Sequence, residues 1–277
     1  MNILEETKFI MNKYDVKPNK KLGQNFLIDE EAINFIADLA NEEDTIIEIG
    51  PGLGTLTSKL LERAKKVIVI ELDSKMVDII KDRFKLYKNI EIIQGDILKI
   101  DISKYKNAKI IANLPYYITT EIITKLIKQD INEINVLIQK EVAERICAMP
   151  GEKEAGAITY FVQYYADAKI LKQVTKECFI PSPKVDSTVI QIKKLEKPRV
   201  QVKNEDLLFE LIKENFSKRR KTITNSLSNT VPKEKLINIL KELGIDENIR
   251  GEKLSLEQFA QMSNLIQKIY KISQRKH

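Results

Sequence analysis

At 277 residues, with 43% hydrophobic and 31% charged, the chain is long enough for one large domain and a smaller one, and its composition excludes wholesale disorder and collagen-like repeats. The net charge of +6 is unevenly spread: residues 1–196 carry 29 basic and 30 acidic side chains, residues 197–277 carry 17 and 10. A single histidine, the last residue His277, and two cysteines, Cys147 and Cys178, argue against His-dependent triads, His-rich zinc sites and a disulfide framework.

No apolar run reaches the ~18 residues of a membrane span, and the first residues carry carboxylates where an export signal needs an apolar stretch. The expectation is a cytoplasmic, reducing setting with no membrane and no bound metal. Near the start, Lys20-Lys-Leu-Gly-Gln-Asn-Phe-Leu27 runs from basic to amide-rich to apolar, a docking segment with Asp29 as cap to a following helix. From about residue 45 to 140, short β-branched runs at 45–49, 67–70, 90–93, 110–112 and 135–138 alternate with helical-period stretches at 57–64, 74–84 and 120–128. That alternation predicts a parallel sheet with helices on both faces, an α/β fold. Strands are also expected at 168–174 and 187–193, which lack a long helix between them and could pair antiparallel at an edge. Around Pro198 both periodicities break, and helices are expected at 206–216, 232–243 and 255–271, the last opened by a Ser-x-x-Gln cap. Two domains are therefore expected, residues 1–195 and a basic, helical 196–277.

The first long strand runs into Gly50-Pro-Gly-Leu-Gly54, where glycines permit a sharp turn and close approach of a ligand. Thr55 stands where the dinucleotide fingerprint wants glycine or alanine, so a pyrophosphate cradle fits poorly and S-adenosylmethionine fits better. A tight strand-to-helix turn is the competing reading. Glu71 ends the next strand about twenty residues on, where a ribose hydroxyl is bound in doubly wound sheets, and Asp96 ends the third. Either alone reads as a surface or capping group. Together they suggest a nucleoside site.

Asn113-Leu-Pro-Tyr116 ends the fourth strand. The lone pair of an adenine exocyclic amine is delocalised into the ring, so attack requires acceptors that orient its N–H bonds. The Asn113 side-chain oxygen and the Leu114 carbonyl can serve. Pro115 stiffens the turn, and Tyr116 offers a face on which a base can stack. The alternative is a polar strand-end turn. Phe179, before Pro181 and Pro183, could cover the base's other face or pack in the core. The basic segment Lys218, Arg219, Arg220 and Lys221 suits a polyanion or a solvated helix face.

These segments, in this order, resemble the ribosomal RNA adenine N6-dimethyltransferase family, from about Lys20 to Ile269. The resemblance rests on Leu22-Gly-Gln-Asn-Phe-Leu, Glu48-Ile-Gly-Pro-Gly-Leu-Gly, Asn113-Leu-Pro-Tyr, Gln139-Lys-Glu-Val-Ala-Glu-Arg145 and Pro181-Ser-Pro-Lys-Val-Asp-Ser. In the second domain it continues through Phe216-Ser-Lys-Arg-Arg-Lys-Thr222 and Arg250-Gly-Glu-Lys-Leu-Ser255. It implies a Rossmann-like, seven-stranded methyltransferase sheet with a small C-terminal all-helical domain. S-adenosylmethionine would contact Asn25, Leu27, Gly50, Gly52, Glu71, Asp96 and Asn113. The target adenine would be held by Asn113, Leu114, Pro115 and Tyr116 and flanked by Phe179. Lys218, Arg219, Arg220 and Lys221 would lie against RNA.

The family's small-subunit branch dimethylates two adjacent adenosines in a hairpin near the 3′ end of 16S ribosomal RNA late in subunit assembly, and a monomer is expected. Ala155 departs from the aromatic often found there. A large-subunit (23S) enzyme of the macrolide-resistance type, a DNA adenine methyltransferase and a non-catalytic RNA-binding assembly factor are the rivals. Leu114 and the Arg-Arg-Lys-Thr segment favour the small-subunit branch over the first, and the absence of a large target-recognition domain weakens the second. The cofactor-type residues weigh against the last.

Overall fold

A computed structural model of the chain describes residues 2–19, 22–129, 131–218 and 220–274, with side chains described as far as residue 269. Lys20, Lys21, Arg219 and His277, all singled out in the sequence, lie outside the described residues.

The chain packs as two compact units, residues 1–143 with 168–194, and residues 144–167 with 195–277. In the first, α1 (Ile3–Lys13), β1 (Phe26–Leu27) and α2 (Glu30–Ala37) precede the sheet. Asp29 caps α2, its carboxylate accepting the Ala32 N–H at 2.8 Å, as its position before an apolar run suggests. Then follow β2 (Thr45–Ile49), α3 (Thr55–Arg63), β3 (Lys66–Glu71), α4 (Ser74–Arg83), β4 (Ile90–Gln94), β5 (Lys109–Asn113), α5 (Thr119–Lys128) and β6 (Glu133–Gln139). Every strand and helix expected between residues 45 and 140 is present, with ends moved by a residue or two. Ile46, Ile47, Val67, Ile68, Ile110 and Ile111 are inaccessible to solvent, which is why these strands carry unbroken β-branched runs and not an alternating pattern.

After α6 (Lys140–Cys147) and α7 (Ala157–Tyr165) come β7 (Ala166–Val174), β8 (Phe179–Ile180) and β9 (Ser187–Lys194). The seven-stranded sheet has the order β4-β3-β2-β5-β6-β9-β7. Its first five strands run parallel, and β9 lies antiparallel to β6 with Gln139 opposite Ser187. The expected neighbours at the edge, β7 and β9, are adjacent. A separate two-stranded ladder pairs β1 with β8, Leu27 opposite Phe179.

The second unit contains α8 (Glu205–Ser217), α9 (Ile223–Ser226), α10 (Lys233–Glu242) and α11 (Leu256–Gln274). The Ser-x-x-Gln cap of α11 is realised reciprocally: Gln258 N–H donates to Ser255 Oγ at 3.2 Å and Ser255 N–H to Gln258 Oε1 at 2.8 Å. The expected boundary at residue 195 marks one crossing between units, but the packing also assigns residues 144–167 to the second. The cause is the aromatic content of α7. Tyr160 and Tyr164 are buried in the helical core, with Tyr160 5.4 Å from Phe259 between ring centroids and its hydroxyl donating to the Leu254 carbonyl at 2.7 Å.

Within this unit Gly251 abuts the buried Asn215, whose Oδ1 accepts the Ser226 hydroxyl at 3.0 Å. A Cβ at position 251 would lie 2.0 Å from that Oδ1. Gly251→Ala must therefore displace a buried, hydrogen-bonded amide, and it is predicted to cost about 1–3 kcal/mol in urea unfolding. Wild-type stability in this variant would mean that Asn215 moves aside freely.

Candidate functional site

The parallel strands all end at one edge of the sheet, and the turns after β2, β3, β4 and β5 line one cleft there. Gly50, Gly52 and Gly54 adopt φ of +66°, +56° and +81°. A side chain on Gly54 would meet Ile80 Cδ1 at 2.6 Å, so the third glycine brings the start of α3 against α4. The turn is tied to its neighbour by Gly50 N–H donating to the Ile70 carbonyl at 2.9 Å. The Glu71 carboxylate ends β3 and accepts the Asp73 N–H at 2.8 Å. Asp96 accepts the Leu98 N–H at 2.9 Å, and Lys125 pins the same turn by donating to the carbonyls of Ile97 and Ile100 at 2.7 and 2.5 Å.

At the end of β5 the Leu114 N–H continues the ladder to the Leu137 carbonyl at 3.1 Å, and the chain then turns through Pro115 into a short 3-10 segment at Tyr116–Ile118. Thr119 Oγ1 donates back to the Pro115 carbonyl at 3.0 Å. The Asn113 amide nitrogen donates to the Asn25 carbonyl at 3.4 Å, a weak bond that sets the direction of the side chain. Its Oδ1 is buried and has no hydrogen-bond partner. A buried acceptor left unpaired costs about 1–3 kcal/mol, so it is expected where a ligand supplies the donor.

Asn25, Leu27, Gly50, Gly52, Glu71, Asp96, Asn113, Leu114, Pro115 and Tyr116 all line this cleft, ten of the residues singled out from the sequence. Phe179 is not among the lining residues, and of the two readings of its ring the packing favours the core. Pairing of β8 with β1 turns its ring into the core, where it is 2% exposed and clusters with Leu27, Ile33 and Val189. In the second unit Lys218 is engaged within its own fold, its ammonium donating to Glu214 and to the Ser226 carbonyl at 3.0 Å each. Arg220 and Lys221 are exposed. Sequence reasoning missed Leu72 and Tyr117, both exposed and both on the cleft wall. Their only signal is adjacency to Glu71 and Tyr116.

Three carboxylates, Glu48, Glu71 and Asp96, line the cleft, and among the described residues no lysine, arginine or histidine does. Such a lining repels phosphate and suits a ligand with positive charge. Burial pushes Glu71 above the usual carboxylate range, opposed by the N–H groups of Asp73, Gly52 and Leu72. Glu48 is 1% exposed and accepts the Thr57 hydroxyl at 2.6 Å. Burial is the main cause that pushes it up to about 8, with the Thr57 bond opposing and the Glu71 charge adding.

A carboxyl raised in the folded state leaves stability intact at low pH. That stability is lost as pH rises from the unfolded value near 4.5 towards 8, because only the unfolded chain ionises freely. Glu48→Gln keeps an acceptor for Thr57 and removes the titration. It should gain on the wild type in urea unfolding between pH 5 and pH 8.5, by on the order of 3 kcal/mol. A pH-independent difference would show that Glu48 is not held protonated.

Residues 16–268 match the ribosomal RNA adenine dimethylase family. The chain is 49% identical over 269 residues to the ribosomal RNA small subunit methyltransferase A of Clostridium botulinum strain Loch Maree, covering 94% of this chain and 98% of that one. It is 47% identical to the protein of that name from Clostridium acetobutylicum, with the same coverage. Its fold superimposes on a dimethyladenosine transferase from Plasmodium falciparum with a TM-score of 0.74 at 28% identity, covering 90% of this chain and 98% of that one. The chain belongs to the ribosomal RNA adenine dimethylase family.

Proposed function

We propose that this methyltransferase uses S-adenosylmethionine to dimethylate N6 of two adjacent adenosines in a hairpin near the 3′ end of 16S ribosomal RNA, late in small-subunit assembly. The observation that carries the reading is the buried, unpartnered Asn113 Oδ1 on the wall of an acid-lined cleft. It would accept one N–H of the target amine while the Leu114 carbonyl accepts the other, orienting the nitrogen for attack. The ring of Tyr116 would carry the base. Asn25, Leu27, Gly50, Gly52, Glu71 and Asp96 would hold the methyl donor. Its sulfonium and ammonium charges suit a lining that carries acidic side chains, Glu71 and Asp96 beside the mostly uncharged Glu48, and no basic group among the described residues. S-adenosylmethionine supplies the activated methyl group. These residues contribute position and electrostatics, and the amine's proton leaves to solvent. No helix among the described residues is long and apolar enough to cross a membrane, which accords with a ribosomal substrate.

The test is methyl transfer from labelled S-adenosylmethionine to unmethylated small and large subunits in parallel, followed by nucleoside analysis. Dimethyladenosine from the small subunit alone is expected. Label in the large subunit would place the chain with the macrolide-resistance enzymes, and RNA binding without label would make it an assembly factor. Asn113→Ala is predicted to lower kcat by about 10²–10³. Its unfolding free energy should stay within about 1 kcal/mol of wild type, since Oδ1 has no partner to lose.

For the basic segment, exposure makes Arg220 and Lys221 the RNA-facing candidates, whereas Lys218 is held by Glu214. Replacing Arg220 and Lys221 with Gln should flatten the dependence of log affinity on log salt by roughly 0.7–0.9 per charge. An unaltered slope would leave them a solvated face.

A further inference from the structure

Tyr116 is half-buried on the cleft wall, and its hydroxyl lies 2.6 Å from the hydroxyl of Ser187. Ser187 is fully buried at 0% exposure and opens β9. Its place follows from the topology. Parallel strands bring only their C-terminal ends to the cleft, so a residue at the start of a strand can reach that edge only if the strand runs the other way. The antiparallel β9 does so, with Ser187 opposite Gln139, the last residue of β6.

The approach to Ser187 is fastened on both sides. The Asp186 carbonyl accepts the Lys140 N–H at 3.0 Å, and the Asp186 carboxylate accepts the Lys176 N–H at 3.1 Å. On the other side of the bond, the Tyr116 backbone enters the 3-10 segment whose preceding carbonyl, that of Pro115, is held by Thr119. Backbone on both sides of the contact is thus fixed, and the hydroxyl pair is what fixes the remaining freedom, the torsions of the Tyr116 ring. An unbound tyrosine ring at a cleft wall turns among staggered rotamers, and a base stacks only on the one that faces it.

We propose that Ser187 is a positioning residue for the target base: its hydroxyl locks the Tyr116 ring in the orientation on which the adenine stacks. The inference rests on the reading of Tyr116 as the base platform. Ser187 touches neither base nor donor. Its effect passes through the Tyr116 hydroxyl, and that makes it separable from a merely structural role. Loss of either hydroxyl removes the same bond and leaves the other group unpaired.

The experiment is a double-mutant cycle in the full-length protein with Ser187→Ala, Tyr116→Phe and the pair, assayed on unmethylated small subunits. S-adenosylmethionine binding is measured separately by calorimetry. Each single variant is expected to lower kcat about 3- to 10-fold, with the dissociation constant for S-adenosylmethionine unchanged. The pair should be no worse than either single, because the second change removes nothing further. Multiplying effects would overturn the proposal, as would a loss of donor binding as large as the loss of turnover. Tyr116→Phe reads the bond without altering a fully buried position, and wild-type kcat in that variant overturns the proposal whether or not Ser187→Ala folds. Tyr116→Ala separates the two levels. If it is strongly impaired while Tyr116→Phe and Ser187→Ala are not, Ser187 is removed and the platform stays. If Tyr116→Ala has wild-type turnover, both are removed.

Discussion

Five strands running the same way impose one constraint from which the site follows: all their C-terminal ends meet at a single edge, and the turns after four of them, β2, β3, β4 and β5, gather there. Backbone groups in those turns are satisfied by the neighbouring strand, as Gly50 is by Ile70 and Leu114 by Leu137. The carboxylates of Glu71 and Asp96 themselves satisfy turn N–H groups, those of Asp73 and Leu98, whereas Asn113 Oδ1 is left without a partner. Among the described residues six buried side-chain atoms lack a partner, and Asn113 Oδ1 stands out as the one that lies on the cleft wall.

The sheet was legible in the sequence because fully buried strands carry unbroken β-branched runs, and the glycine turn was legible because three positive-φ positions alternate. What failed to show has a physical reason in each case. β1 and β8 are two residues long, too short for any periodicity, and their pairing joins segments about 150 positions apart. That pairing decides Phe179, and nothing local to Phe179 does. α7 is Ala-Ile-Thr-Tyr-Phe-Val-Gln-Tyr-Tyr, apolar on nearly every face, so it shows no amphipathic stripe. It joins the helical unit because its tyrosines find hydroxyl partners and aromatic neighbours there, a property of contacts and not of pattern. The ten cleft residues were recoverable because each sits at a strand end or in the amide-rich segment before α2. Leu72 and Tyr117 were not, since an exposed apolar residue beside a polar one carries no signal of its own.

Family-like motifs sort differently in the two units. In the first, the Leu22–Leu27, Glu48–Gly54 and Asn113–Tyr116 motifs line the cleft almost throughout, whereas Pro181–Ser187 and the part of Gln139–Arg145 in this unit contribute no lining residue. In the second, the Phe216–Thr222 and Arg250–Ser255 segments mix inward and outward positions: Gly251 and Leu254 are buried, whereas Ser217, Arg220, Lys221, Arg250 and Lys253 are exposed. Phe216 lies 5.3 Å from Tyr160 between ring centroids, and Gly251 makes room for the Asn215 amide. Lys218 neutralises Glu214, which also accepts from Thr230 and from the Asn229 N–H. Burial works to raise that carboxyl, and these bonds outweigh it to hold it below its usual range. A basic run is therefore not a uniform surface. Its first charge stabilises the turn that presents the others.

The basic excess belongs to the chain after residue 196 and not to the packed units, which carry 27 basic against 25 acidic and 19 against 15 side chains once residues 144–167 are counted with the second. The excess of 17 basic over 10 acidic residues lies after residue 196, while the cleft is lined by three carboxylates. Under the proposed function a ribose-phosphate backbone would be attracted to the first and repelled by the second. A neutral base is not repelled, and an adenine amine brings the N–H donors that Asn113 Oδ1 lacks. Glu48, pushed up to about 8, is mostly uncharged at neutral pH and so spares the cleft floor a third full negative charge. Under the proposed function the carboxylates of Glu71 and Asp96 would face the cationic methyl donor, with burial working against the charge of Glu71. The same two groups would exclude phosphate from the chamber while leaving it open to a base extruded from its stack.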